Sequence, residues 1–190
     1  ALQKENDTAR YMALQNQLNP HFLFNSLNTL IAEIEYNPQN AVSFTKNLSD
    51  VYRYVLQCQD RLLVTMGEEL EFLNSYLFLH EVRLGNCITC NLIVADDCKE
   101  RLLPPLTLQL LVENVIKHNS ISASRPMEIN IEVERDTLVV RNLIKPKIGD
   151  SSPGVGLQNL SNRCELITGK SIEVCDKFGV FTVKIPFANE

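Results

Sequence analysis

The hydrophobic periodicity of this sequence changes near residue 85, and that change limits the possible folds more than any other feature. Three early segments repeat apolar side chains at steps of three and four, a spacing that predicts helices over residues 4–35, 40–57 and 67–84. Later runs have the character of strands, over residues 87–95, 128–135, 137–142, 171–176 and 180–186. Two more helices are predicted between them, over residues 105–119 and 157–167. Strands in runs with few helices predict an α+β fold, with a helical region over residues 1–84 and a sheet domain over residues 85–190.

Turn-forming residues mark the expected element boundaries. Asn37-Pro38 should end the first helix, and Pro105 suits the first position of a later one. Breaks at Asp136 and at residues 177–179 suit tight hairpins between strands. The third helix opens with acidic side chains, which favour a helix N-terminus: Glu68, Glu69 and Glu71.

The first two helices each carry an apolar stripe that a lone hairpin cannot bury. On the first helix it consists of Leu23, Leu27, Leu30, Ile31 and Ile34. On the second it consists of Val42, Leu48, Val51, Tyr52 and Val55. Pairing of two copies into a four-helix bundle would cover both stripes, so we expect a homodimer.

Composition and charge exclude several classes of protein. The hydrophobic fraction is 45% and the net charge is -5, which fits a folded domain and argues against direct binding to nucleic acid. No apolar stretch approaches the roughly 20 residues of a membrane span. The sequence opens in mid-pattern without a methionine, so we expect it to be a piece of a longer protein.

The six cysteines include one C-x-x-C pair, Cys87 and Cys90, which could indicate zinc or redox chemistry. No second pair and no nearby histidine completes a zinc set in the sequence. The pair lies in a strand-like run, where a three-residue spacing directs the thiols to opposite faces. Buried, reduced thiols are therefore the favoured interpretation.

A proline directly precedes a histidine at residues 19–25, which read NPHFLFN. Proline inside a helix removes a backbone donor and clashes with the carbonyl of Asn16, so the helix should kink at His21. That context favours a reactive imidazole over a core residue. Asn25 lies one turn on and could orient the ring or a water molecule, or be merely a polar surface residue. The expected role of Phe22, Leu23 and Phe24 is in core or dimer contacts rather than in contacts with a nucleotide.

Two further runs have the chemistry of a phosphate-binding site. Asn114, Lys117 and His118 share one face of the predicted helix over residues 105–119. An amide oxygen suits Mg²⁺, and the lysine can meet phosphate charge. Glu113 could help to polarise a water ligand or be a solvated surface carboxylate. Gly154 and Gly156 precede a helix expected to begin near Leu157, and glycines at such a place let backbone N–H groups approach phosphates.

The three runs, in this order, resemble the sensor histidine kinases of the LytS/YehU type. The resemblance implies a helical phosphoacceptor and dimerisation region, followed by a Bergerat-type α/β sandwich of the gyrase–Hsp90–kinase–MutL superfamily that binds ATP. It also implies phosphorylation of His21, with Asn114 holding Mg²⁺ and Lys117 meeting the phosphates. His118 and Asn119 would line the pocket. Leu157, Asn159 and Arg163 continue the family's glycine box, and residues 145–153 would form a lid over the nucleotide.

One departure from the family concerns the adenine end of the site. The family's aspartate-glycine box is absent from residues 138–144, and Asn142 lies where the aspartate is expected. The Asn142 carbonyl can accept a hydrogen bond from adenine, but without the charge assistance of a carboxylate. The bulk of Ile144 would also lie near the base.

The expected function is the cytoplasmic core of a dimeric two-component sensor histidine kinase on the cytoplasmic side of the bacterial inner membrane. The resemblance implies transfer of the phosphoryl group from His21 to an aspartate of a response regulator of the LytTR type, and membrane attachment through a missing N-terminal segment. The alternative is a pseudokinase scaffold, which the absent aspartate favours. An ATPase or protein-serine kinase would require His21 to be incidental. Arg83 either contacts a phosphate or the other domain, or forms a surface ion pair. His80 is expected to be structural.

Overall fold

The computed structural model describes residues 20–147 and 155–188. The elements are, in chain order, α1 (Pro20–Tyr36), α2 (Pro38–Gln57), β1 (Val64–Thr65), α3 (Met66–Leu84), β2 (Ile88–Ile93), a short 3₁₀ turn (Asp96–Cys98), β3 (Leu102–Leu103), α4 (Thr107–His118), β4 (Met127–Glu134), β5 (Thr137–Leu143), α5 (Val155–Thr168), β6 (Glu173–Lys177) and β7 (Val180–Pro186). The predicted helix over residues 4–19, the kink opposite Asn16, Gly154 and most of the expected lid lie outside the described residues. Within the described ranges, no helix has both the length and the apolar character to cross a bilayer.

Helices α1 and α2 form the predicted hairpin, joined at Asn37. The Asn37 side chain accepts a hydrogen bond from the backbone N–H of Asn40, at 3.4 Å. Helix α2 begins at Pro38 rather than at the expected Asn40, because proline fits the first helical position. The Asn40 amide also donates to Glu33 of α1 at 2.6 Å, which closes the hairpin.

The apolar stripes are only partly buried in the single chain. On α2 the buried positions include Phe44, Leu48, Val51 and Val55, whereas Val42 is 57% exposed. Helical spacing finds the direction of a stripe, but it does not show which flank meets a neighbour. On α1 most of the predicted stripe is exposed: Leu23, Leu27, Ile31 and Ile34. The hairpin therefore keeps an apolar face that nothing in the described chain covers.

The five-stranded sheet has the order β2-β4-β5-β7-β6, in which β2 pairs parallel to β4 and the other pairs are antiparallel. Both predicted tight hairpins are present. Glu134 pairs with Thr137, and Lys177 pairs with Val180. The turn residues Arg135 and Phe178 each adopt a φ of 55°. A mixed sheet with helices packed on it confirms the α+β class.

Strands β1 and β3 were not predicted, because two residues are too few for a periodic pattern. Val64 pairs with Leu103 and Thr65 pairs with Leu102 in a separate two-stranded sheet. This pairing joins the segment before α3 to the segment before α4. It crosses the domain boundary predicted at residues 84 and 85, as does the hydrophobic core. That core contains residues of α2 and α3 together with residues of α4, α5 and the sheet.

Helix α3 begins with a capping box. The Thr65 hydroxyl accepts from the backbone N–H of Glu68, and the Glu68 carboxylate accepts from the backbone N–H of Thr65. The acidic start therefore serves α3 through Glu68, as predicted. Glu69 has a different role, because its carboxylate is fully buried and lies at the start of another helix.

The buried Glu69 carboxylate accepts three hydrogen bonds, from Tyr54 of α2 and from the segment that opens α4. Oε1 accepts from the Tyr54 hydroxyl and from the backbone N–H of Leu106, both at 2.8 Å. Oε2 accepts from the backbone N–H of Leu108 at 2.9 Å. Burial raises the pKa of Glu69, and these hydrogen bonds oppose that shift.

The expectation that Pro105 occupies the first position of α4 was wrong. The helix begins at Thr107, and the preceding Leu106 adopts a left-handed φ of 62°. The Thr107 hydroxyl donates to the carbonyl of Pro104 at 2.6 Å. The N–H groups that a local cap would normally satisfy are taken by Glu69, a residue far away in sequence.

We predict that Glu69→Gln lowers the free energy of unfolding by about 2–4 kcal/mol. One amide oxygen cannot replace two carboxylate oxygens, and the amide NH₂ would face a backbone N–H. The expected fall in melting temperature is roughly 4–16 °C for a chain of this size. The exposed Glu71→Gln, on the same helix, is the matched control in thermal unfolding. Equal effects of the two substitutions would contradict the role of the buried carboxylate.

Candidate functional site

His21 is exposed on the first described turn of α1. The Asn25 side-chain nitrogen lies 2.9 Å from Nδ1 of His21, so the two side chains one turn apart are in hydrogen-bond contact. Asn25 contacts Nδ1 and not Nε2. The amide can present either its N–H or its carbonyl to the ring after a half turn, and its orientation therefore decides which ring nitrogen carries the proton.

Phe22, the residue after His21, packs α1 against α3. Phe22 stacks on Tyr76 with ring centroids 5.4 Å apart, and its ring lies 5.8 Å from that of His80. Phe22 is thus a packing residue, as predicted, whereas Phe24 is 64% exposed.

His80 is buried and has the structural setting that was expected. Burial, with a further contribution from the charge of Arg83, lowers the pKa of His80 to about 3. The ring is therefore neutral at cellular pH, and Arg83 donates to its Nδ1 at 3.1 Å. This contact holds the Arg83 side chain along its own helix, α3, where it borders α1 near Asn25.

A cavity of about 390 Å³ lies between α4 and α5. From α4 and the residue before it, the lining side chains are Leu106, Gln109, Leu110, Glu113, Asn114 and Lys117. From α5 they are Gly156, Asn159, Asn162 and Arg163. The cavity thus brings together predicted residues from two separate sequence runs: Asn114, Lys117, Gly156 and Asn159.

The cavity carries a small excess of positive charge, from Lys117 and Arg163 against Glu113. Burial raises the pKa of Glu113, while a hydrogen bond from Gln109 and the charge of Lys117 oppose that shift. Burial lowers the pKa of Arg163, which the Coulombic influence of Cys164 and Glu69 opposes. This balance suits an anionic ligand that brings its own divalent cation.

The beginning of α5 faces the cavity. Gly156 lies opposite Leu110, and an added Cβ would sit 3.9 Å from that side chain, an ordinary contact distance. Protein packing therefore does not require glycine at this position. The lack of a side chain leaves room at a helix N-terminus, where backbone N–H groups favour phosphate. Leu157 is half-buried and packs against the core rather than lining the cavity.

Arg163 borders the cavity with unused hydrogen-bonding capacity. Its Nη1 donates to the carbonyl of Pro105 at 3.1 Å. Its Nε and Nη2 are buried and have no hydrogen-bond partner among the described residues. The sequence pattern included Arg163 without a role, and Gln109 and Asn162 were missed. Gln109 lies four residues before Glu113, and Asn162 lies three residues after Asn159, and these helical spacings were the signal that could have found them.

Other predicted site residues lie outside the cavity lining. Asn142 is buried on the same face of β5 as Leu138 and Val140, and its Nδ2 donates to the Leu143 carbonyl at 2.9 Å. His118 is half-buried at the end of α4, where its backbone carbonyl accepts from Lys147. Helical spacing correctly places His118 one turn beyond Asn114. It does not reveal that α5 covers only one side of α4, which leaves His118 outside the cavity lining.

Asn119 ties the first residues of the expected lid to α4. Its Nδ2 donates to the Val115 carbonyl at 2.9 Å, and its Oδ1 accepts from the backbone N–H of Lys145 at 2.7 Å. The Lys147 ammonium donates to the Ile116 carbonyl at 2.9 Å. Residues 145–147 are therefore anchored to the helix, and the rest of the expected lid, up to Pro153, lies outside the described residues.

A second depression, of about 300 Å³, lies between α2 and α3. It is lined by the acids Asp50, Glu68 and Glu71 against the single cation Arg53, so it is unsuited to a polyanion.

All six cysteines, including Cys87 and Cys90, are free thiols. Over residues 20–147 and 155–188, no group of three or more His, Cys, Asp or Glu side chains is arranged to hold a metal ion.

The histidine kinase family model matches residues 9–88, which include His21 and Asn25. Sensor protein LytS of Staphylococcus haemolyticus is 32% identical over 169 residues, covering 87% of this chain and 29% of the relative. Sensor histidine kinase/phosphatase LytS of Staphylococcus aureus is 31% identical over 181 residues, covering 86% of this chain and 31% of the relative. This chain thus spans about three tenths of the length of these curated relatives.

The solved structure of the histidine kinase AdeS of Acinetobacter baumannii is similar with a TM-score of 0.46 at 18% identity, over 95% of this chain and 96% of that one. The sequence match and the relatives do show the family, and this chain belongs to the histidine kinases, with sensor proteins of the LytS type as relatives.

Proposed function

We propose that this chain is the phosphoacceptor and ATP-binding part of a sensor histidine kinase, and that His21 receives a phosphoryl group from ATP bound between α4 and α5. The observation that carries the proposal is the meeting of Asn114, Lys117, Gly156 and Asn159 around one cavity. The S. aureus relative is named a histidine kinase, which supports the same reading. No contact among the described residues favours the scaffold alternative.

The polar groups of the cavity fit a magnesium nucleotide. The Asn114 amide oxygen is a suitable Mg²⁺ ligand, and Lys117 and the N-terminal end of α5 suit the phosphates. Bound Mg²⁺ would neutralise part of the phosphate charge. We also propose that Asn142 contacts the adenine base and that His118 lies at the side of the nucleotide pocket. Gly154 and Leu157 are retained with Gly156 as the glycine box that holds the phosphates.

The proposed chemistry is attack of His21 Nε2 on the γ-phosphorus of ATP. An N–P bond forms, the bond between the γ-phosphorus and the bridging oxygen breaks, and ADP leaves. Attack through Nε2 needs the ring proton on Nδ1. The Asn25 carbonyl can accept a hydrogen bond from Nδ1–H once the amide has turned by half a rotation. Positioning and charge neutralisation provide most of the catalysis in such a transfer. Lys117 neutralises charge that develops on the phosphoryl oxygens.

The activities and partners of the longer protein are part of the same proposal. The phosphoryl group would pass to an aspartate of a response regulator, of the LytTR type by resemblance. By resemblance, an N-terminal segment of the longer protein would attach it to the cytoplasmic side of the inner membrane. Direct contact with nucleic acid is not expected, given the net charge of -5.

The proposed homodimer uses the uncovered face of the hairpin. A largely apolar groove lies between α1 and α2, and its lining includes Leu30, Ile34, Pro38, Ala41 and Val42. A symmetric copy of the same hairpin offers a complementary apolar face, and two hairpins complete a four-helix bundle.

We predict that His21→Gln abolishes phosphorylation by γ-labelled Mg-ATP and leaves ATP affinity within about twofold, since His21 is remote in sequence from the cavity helices and does not line the cavity. The label on the parent chain should be acid-labile and base-stable, as expected for a phosphoramidate. Label that persists on the His21→Gln variant would rule out His21 as the acceptor. Absence of ATP binding by both proteins would instead reject the nucleotide site.

We predict that Asn114→Ala weakens Mg-ATP binding by at least about tenfold, since it removes a metal ligand. The loss should shrink when EDTA removes Mg²⁺. Asn162→Ala is the matched control, because Asn162 lines the same cavity but hydrogen-bonds to Gln158, and its effect should stay within about threefold. Equal losses in the two variants, measured by calorimetry, would contradict the role of Asn114.

We predict that the double substitution Ile31→Lys and Ile34→Lys converts the dimer to a monomer, with dimer affinity weakened at least about 100-fold, because it buries charge in an apolar interface. Glu35→Lys, at an exposed neighbouring position, is the control. Light scattering after gel filtration measures the mass. A parent chain that is monomeric at micromolar concentration, or a double variant that still dimerises, would refute this interface.

A further inference from the structure

Tyr54 connects the hairpin to α3 through two contacts. Its ring stacks on Phe72 of α3, with centroids 4.6 Å apart and planes at 25°. Its hydroxyl donates to Glu69 Oε1 at 2.8 Å. Glu69 is fully buried and Tyr54 is half-buried, so this hydrogen bond to a carboxylate is partly shielded from water and is stronger than a fully exposed contact.

The same carboxylate reaches the helix that carries Asn114. It accepts the backbone N–H groups of Leu106 and Leu108, which open α4. From the other side, Arg163 of α5 donates to the Pro105 carbonyl. The segment from Pro105 to Leu108 is thus held between α3 and α5, the second of which also lines the cavity.

The position of this segment determines the position of the cavity residues. Leu106 adopts a left-handed conformation that a branched side chain rarely takes, so the surrounding contacts must maintain it. Helix α4 continues from this segment without interruption to His118. Asn114 lies six residues beyond Leu108, roughly 9 Å along the axis, so a shift of the first turn moves Asn114 and Lys117 with it.

We propose that the Tyr54–Glu69 hydrogen bond couples the His21 hairpin to the nucleotide cavity, with Glu69 as a positioning residue for α4. The proposal rests on the proposed function, because it assumes that the cavity binds ATP. Displacement of α2, as a signal from the rest of the longer protein would produce, weakens this bond and loosens the first turn of α4. The nucleotide affinity of the cavity then depends on the arrangement of the hairpin.

The test is Tyr54→Phe, which removes one hydroxyl and keeps the stacking ring. Tyr52→Phe is the matched control, since Tyr52 is half-buried on the same helix and its hydroxyl is not among the donors to Glu69. Amide exchange is measured for Leu106, Leu108 and Leu110, with Ile131 and Val140 of the sheet as internal references. Calorimetry gives the Mg-ATP affinity of each protein.

For Tyr54→Phe we expect exchange of the three α4 amides to accelerate by roughly 3- to 10-fold, with the sheet amides unchanged, and Mg-ATP affinity to fall by a similar factor. In a Glu69→Gln background, Tyr54→Phe should add no further loss of affinity, because it acts through Glu69. Tyr52→Phe should change neither quantity.

Equal acceleration in α4 and in the sheet would show a global effect on stability and overturn the proposal. Unchanged exchange, or faster exchange with unchanged affinity, would overturn it as well. A wild-type protein that binds no Mg-ATP would reject the proposed function instead, and the exchange data would still decide whether Tyr54 holds α4.

Discussion

The buried carboxylate of Glu69 is the interaction on which the arrangement of helices depends. A charge without water must be compensated, and here the compensation comes from three donors on two different elements. That requirement fixes the end of α2, the first turn of α3 and the start of α4 relative to one another. The pairing of β1 with β3 runs beside the same junction and brings the segments before α3 and α4 together. The cavity between α4 and α5 is built outward from this point.

The periodic parts of the structure could be predicted from the sequence. Helices α1 to α3 and both tight hairpins follow from apolar spacing and turn residues, because those signals lie within a few neighbouring positions. The sequence also indicated four cavity residues, since Asn114 and Lys117 share a helix face and Gly156 and Asn159 open the next helix. Once α4 and α5 pack against each other, as the expected sandwich requires, these four side chains meet without any further condition.

The parts that could not be predicted depend on contacts between distant residues. Glu69 was assigned to its own helix, because a first-turn acid normally serves there, and nothing local indicates that it caps α4. Pro105 was placed inside α4, although the left-handed Leu106 separates it from the helix. Val42 was placed in the apolar stripe of α2 and the buried Phe44 was not, since hydropathy does not identify which flank of α2 meets α3. His118, at the end of α4, and Asn142, on β5, lie outside the cavity lining, and each contacts the segment of residues 143–147.

The central claim is that the cavity between α4 and α5 holds a magnesium nucleotide. The most direct measurement is an NMR titration with Mg²⁺ and a non-hydrolysable ATP analogue, following backbone and side-chain amides. The account predicts that the largest shifts fall on Asn114, Lys117, Gly156 and Asn159, and that they require Mg²⁺. Shifts concentrated instead on the acidic depression around Asp50 and Glu71, or no saturable shifts at millimolar analogue, would contradict it.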